Sequence, residues 1–172
     1  DPFFYEGMTV QGLLDFNARF YPRWDRRKAA SDLERFGLDP KASASVVIDH
    51  VARGVALAKK YGLPERLREF IPQHHGTTLA AYFHRMAIKA NGDAPIDEND
   101  FRYQGPKPQT REAAILMLAD GVEATTRAER PTTPEQIRAI IDRIFNERLR
   151  DGQLDESDLT LRDLQQIKEA FF

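Results

Sequence analysis

The sequence predicts an all-α protein. Apolar residues recur at three- and four-residue spacing along most of the chain. No stretch shows sustained alternation of β-branched residues, so strands are not expected. Start signals for helices, a capping side chain followed by proline or by a box-closing acid or amide, occur repeatedly. At 172 residues, one domain with a sizeable core is expected.

Residues 7–36 give the least regular pattern. Val10, Leu13, Leu14 and Asn17 fall at helical spacing and Pro22 ends that run. Ala29, Leu33 and Phe36 make a second short stripe in a charged stretch. Asp39-Pro40 is a clearer start, and Val47, His50, Val51, Gly54, Val55 and Ala58 share one stripe until Gly62 and Pro64 stop it. Pro64 opens a short helix with Leu67, Phe70 and Ile71 on one face, and Pro72 is expected to break it. After the corner "QHHG", Leu79, Tyr82, Phe83 and Met86 predict a helix to about Lys89.

The stretch 91–109, rich in Pro, Gly and Asp, reads as a long loop, and long loops are often functional. Thr110 can cap the next helix, with Ala113, Leu116, Met117, Asp120 and Ala124 on one face. Thr133 to Gln136 is a capping box before Ile137, Ile140, Ile141 and Ile144, and Asp151-Gly152 ends that helix. Thr160 to Asp163 is another box, opening a last helix through Leu161, Leu164, Ile167 and Phe171.

Composition narrows the chemistry. Charged residues make up 30% and the net charge is -2, so no basic surface advertises a nucleic-acid polymer. There is no cysteine, which excludes disulfides, thiolate ligands and cysteine nucleophiles. Any metal must be held by histidine and carboxylate. No apolar run approaches the roughly 20 residues that cross a bilayer. Asp1-Pro2 is not a natural start, so the chain is expected to be a piece of something longer.

Of the four histidines, two are adjacent, His74 and His75, between Pro72 and Gly76. Two polar residues occupy positions where the stripes want apolar ones, His50 and Asp120. A buried carboxylate needs a cation, hydrogen bonds or a metal. Together these four make an all-N/O ligand set suited to Fe, Mn, Zn or Ni. Each has a plainer reading alone. His50 reads more readily as a satisfied core histidine, His74-His75 as a polar turn, and Asp120 as the partner of a cation such as Arg127. Glu123 and His84 read as outer or surface residues. Arg102 and Lys107 read as solvated, with phosphate contact as the sharper alternative.

Four blocks sharpen the picture: "VVIDHVARGVALAKKYGLP", "QHHGTTLAAYF", "DFRYQGPKPQTREAAILMLADGVEA" and "RLRDGQLDESDLTLRDLQQIKEAF". In this order they resemble the cytoplasmic domain of the seven-transmembrane HD-domain proteins, metal-dependent phosphodiesterases whose best-known members hydrolyse cyclic di-AMP. The resemblance implies an all-α, HD-domain-type helical bundle over residues 39–172, after a poorly matched helical segment, 1–38. It implies that His50, His74, His75 and Asp120 are metal ligands, that the metal is Mn or Fe, and that the centre is binuclear. Thr77, Arg102 and Lys107 are the expected phosphate contacts. The implied partner is a cyclic dinucleotide, and the implied parent is anchored in a membrane with this domain on the cytoplasmic face. A homodimer is left open.

The sequence also departs from the family. Its ligand order begins with a histidine and a His-Asp dyad, yet no His-Asp dyad occurs here and no histidine precedes His50. The expectation is weak or absent turnover unless those ligands come from elsewhere. The alternative is a degenerate module that binds a nucleotide without cleaving it.

Overall fold

A computed structural model describes residues 39–92 and 94–172. The two stripes expected within 7–36, and the segment 1–38 as a whole, lie outside the described residues. Seven α-helices and one 3-10 turn are described: α1 (Pro40–Ile48), α2 (His50–Lys60), α3 (Glu65–Gln73), α4 (Ala81–Asn91), the turn Glu98–Phe101, α5 (Arg111–Glu129), α6 (Pro134–Arg150) and α7 (Leu161–Phe171). Among the described residues there is no strand, only an isolated bridge between Leu79 and Arg102. No helix among them is long and apolar enough to cross a membrane.

The expected caps form. Asp39 accepts the Lys41 N–H at 3.0 Å and Thr110 accepts that of Ala113 at 3.2 Å. Both boxes close: Thr133 with Gln136, and Thr160 with Asp163. Each box satisfies backbone donors that a helix start would leave orphaned.

The chain divides into two compact units. The first holds described residues up to His50, together with Leu79–Arg102. Its core is Ala44, Phe83, Ala87 and Phe101, with Val47, Ile48, Leu79, Ala80 and Ile96 packed on it. Phe101, 2% exposed, explains why part of the expected loop is ordered. Its burial fixes the Glu98–Phe101 turn, and its carbonyl accepts the Ala80 N–H at 2.8 Å. Asp100 meets Lys41 at 2.6 Å on the same unit.

The second unit holds Val51–Thr78 and Tyr103–Phe172. Its core is Ala114, Met117, Leu118, Ile141, Phe145, Leu154 and Leu164. α5 packs on α3 and α6, and α6 on α7.

Three expectations change. The stripe from Val47 to Ala58 is two helices, because the chain leaves the first core for the second at His50. Pro72 sits inside α3 rather than breaking it. It removes only the donor to the Arg68 carbonyl, and the helix ends one residue on. The buried face of α5 is Ala113, Ala114, Met117, Leu118 and Gly121. Leu116, expected inside, is 42% exposed, and Asp120 lies at the edge of the buried face rather than within it.

Candidate metal centre

The histidine pair stands where α3 ends. His74 caps that helix, with its backbone N–H donated to Phe70. Gly76 then turns the chain with φ 52°, a left-handed conformation. A Cβ there would lie 2.5 Å from Gln153 Oε1 and 2.7 Å from Met117 Cε, so the corner needs glycine twice over. Polar bonds pin both sides of it. Buried Gln73 accepts the Gln109 N–H at 2.8 Å. Gln153, 1% exposed, accepts the Thr77 N–H and donates to Thr77 Oγ1, each at 2.9 Å. Thr78 Oγ1 donates to the His75 carbonyl at 2.7 Å.

This corner places two imidazoles side by side, with ring centroids 4.0 Å apart. His75 Nδ1 lies 3.7 Å from Asp120 Oδ2. Tyr103 stacks on His75, with ring centroids 4.3 Å apart. Within the second unit the structure therefore brings together three of the four sequence-predicted ligands. His50, the fourth, opens α2 at the last position of the first unit.

The ring orientations fit metal ligation. His74 Nδ1 is 2.6 Å from the Ile71 carbonyl, and His50 Nδ1 is 2.5 Å from the Val47 carbonyl. A carbonyl can only accept, so each Nδ1 donates and carries a proton, which leaves Nε2 as the nitrogen that can face a metal. Ligating histidines are ordinarily oriented in this way, by a carbonyl or carboxylate on the second nitrogen. Within the second unit, the carbonyl-anchored His74, the adjacent His75 and the partly exposed Asp120 carboxylate are nitrogen and oxygen donors of the kind a divalent transition metal takes.

The expected phosphate contacts are placed less simply. Thr77 is engaged by Gln153 on both its N–H and its hydroxyl. Arg102 belongs to the first unit and donates from Nε and Nη2 to Glu98 Oε1 at 2.9 and 2.6 Å. Lys107 lies in the second unit, and its ammonium is 3.6 Å from where a Gly152 Cβ would stand. Arg127 does not meet Asp120; it pairs with Glu123 one turn away. Sequence reasoning missed Tyr103, Gln73 and Gln153. The glutamine of "PQHHG" adjoins the histidines and gave the only local signal; the others reach the site through folding.

No family model matches the chain. Curated proteins do. It is 43% identical over 136 residues to the uncharacterized protein slr0104 of Synechocystis, and 42% identical over 133 residues to the cyclic-di-AMP phosphodiesterase PgpH of Bacillus subtilis. Each match takes in 77% of this chain but only 17% and 18% of those proteins, so the chain spans under a fifth of their length. Among solved structures, the PgpH HD domain of Listeria monocytogenes in complex with cyclic-di-AMP overlays with a TM-score of 0.75 at 37% identity. That overlay covers 81% of this chain and 63% of that one. The homology implies use of a divalent metal, and the donor set above accommodates one. Identity and fold agree over the same stretch: this chain is a homologue of the HD domain of the PgpH cyclic-di-AMP phosphodiesterases.

Proposed function

We propose that the chain is the phosphodiesterase domain of a metal-dependent enzyme that opens cyclic di-AMP to a linear dinucleotide. The observation that carries this reading is the 37% identity, over 81% of the chain, to an HD domain solved with cyclic-di-AMP. His50, His74, His75 and Asp120 are the ligands in this reading, with Mn or Fe as the metal and a binuclear centre in the complete site. Such a metal lowers the pKa of water and neutralises charge on the phosphate.

The chain's own residues set up that chemistry. The Val47 and Ile71 carbonyls hold the protons of His50 and His74 on Nδ1, which keeps Nε2 as the donor atom. Asp120 offers a carboxylate beside His75, and Tyr103 fixes the plane of that ring. Lys107 is the phosphate contact best supported, since no ion pair engages its ammonium among the described residues. Hydrolysis adds water across one P–O bond of the ring, and the freed ribose hydroxyl takes a proton. The sequence supplies four of the expected donors and no His-Asp dyad, so the reading includes slow turnover by this chain alone. In the parent protein the domain is read as membrane-anchored and facing the cytoplasm.

The test is incubation of the chain with cyclic di-AMP and Mn²⁺, with products separated by chromatography and binding followed by calorimetry. Slow appearance of the linear dinucleotide, abolished by His75→Ala, is expected. Tight binding with no turnover, even when a His-Asp-bearing segment is restored, would favour the sensor module. Neither binding nor turnover would overturn both readings.

A further inference from the structure

Arg148 lies in the last turn of α6, and the described residues give its guanidinium neither a hydrogen bond nor an ion pair. Its Nε is closed off from solvent and has no acceptor. Its Nη2 lies 3.4 Å from where a Cβ on Gly121 would stand, which places the cation against the residue that follows Asp120. Gly121 is itself hemmed in, since the same Cβ would meet Ile144 Cγ2 at 3.0 Å. Glycine at 121 therefore makes room for the arginine. Burial pushes the guanidinium below its ordinary range, while Glu147, Asp151, Asp120 and Tyr103 act the other way. Tyr103 is the ring stacked on His75 and Asp120 the carboxylate beside it, so Arg148 stands in the field of the same cluster.

An arginine stays charged in a folded protein, so its desolvation must be met by an acceptor. Among the described residues no carboxylate closes an ion pair with it. A guanidinium offers a planar fork of donors that matches phosphate oxygens. We propose that Arg148 is a phosphate-contacting residue of this site, its fork completed by an oxygen of a bound phosphodiester beside Asp120. The inference rests on the phosphodiesterase reading for the identity of its ligand, and on the unmet guanidinium for its chemistry.

The experiment follows the Arg148 Nε–H signal of the wild-type chain by NMR, assigned through its bonds to the ring-free side chain. Inorganic phosphate and cyclic di-AMP are titrated separately. Both are expected to shift it, and Arg148→Met is expected to weaken cyclic di-AMP binding by about tenfold or more, with Arg148→Lys recovering part of the loss. If cyclic di-AMP moves the His75 signals and leaves Arg148 unmoved, the proposal is overturned and the phosphodiesterase reading stands. If phosphate moves Arg148 while cyclic di-AMP perturbs nothing, the phosphate contact stands and the substrate reading falls. If neither ligand moves Arg148, the proposal fails. A purely structural arginine would lower stability in Arg148→Met without any ligand-dependent Nε–H shift, and this too would overturn it.

Discussion

The Gln153 side chain holds Thr77 at two points, accepting its backbone N–H and donating to its hydroxyl, both at 2.9 Å. The two residues are 76 positions apart, and the bond pair ties the segment after α6 to the histidine corner. Gln153 Nε2 also donates to Asp151 Oδ2 at 2.9 Å, so the buried amide is used at both ends. A Gln153→Leu variant keeps the volume and removes both hydrogen bonds to Thr77. Each hydrogen bond lost costs about 0.5–1.5 kcal/mol net, so a loss of about 2 kcal/mol in urea unfolding is expected. Mn²⁺ affinity should fall with it, because the His74-His75 corner loses its anchor. Unchanged stability would show that the amide does not hold the corner.

Gly76 carries the same corner from the backbone side. Its positive φ disfavours any side chain, and an added Cβ would press on Gln153 Oε1 and Met117 Cε. Met117 is in the core and cannot retreat cheaply. Strain of this kind costs about 1–3 kcal/mol, and the contact adds to it. Gly76→Ala is therefore expected to lower the unfolding midpoint clearly and to reduce metal affinity. A variant as stable as the parent would mean that the turn can relax without glycine.

The start of α7 sets a pH dependence. The Thr160 hydroxyl, then its backbone N–H, hold the Asp163 carboxyl below its ordinary value of 3.8. A depressed carboxylate contributes stability above its unfolded pKa and loses it as pH falls through the folded one. Wild type should therefore exceed Asp163→Asn in stability at neutral pH. The gap should close as the pH falls through and below 3.8. Urea midpoints of the two proteins at pH 7, 5 and 3 provide the measurement. A gap that persists undiminished at the lowest pH would mean that the charged cap is not what Asp163 contributes.

What could be read from the sequence follows the reach of each signal. The caps at Asp39, Thr110, Thr133 and Thr160 depend on residues three or fewer positions apart, so the chain displays them locally. His74 and His75 announced themselves by adjacency. Asp120 stands out as polar within an apolar stripe, but the buried face of α5 is rotated from that stripe, so Leu116 and Asp120 border it rather than forming it. The division into two cores was hidden, since the first is built from α1 and a distant stretch around Phe83 and Phe101. Tyr103 and Gln153 were hidden for the same reason: each touches the histidine corner from far along the chain.

The ligand set itself is open to direct test through linkage. A metal that binds the folded state stabilises it, by about 2.7 kcal/mol at a hundred times its dissociation constant. Mn²⁺ should raise the unfolding free energy of the wild type accordingly, and excess chelator should return it to the metal-free value. His75→Ala removes an imidazole 3.7 Å from Asp120 and 4.0 Å, ring to ring, from His74. At the same Mn²⁺ concentration this variant should gain little or nothing. Asp120→Asn keeps the shape and one acceptor oxygen but loses the charge, so its gain should fall between the two. His84, whose ring packs near Phe101 in the first unit, is the control: His84→Ala should keep the full response to Mn²⁺. Equal stabilisation of His75→Ala and wild type would remove His75, and with it the pair at the helix corner, from the metal site.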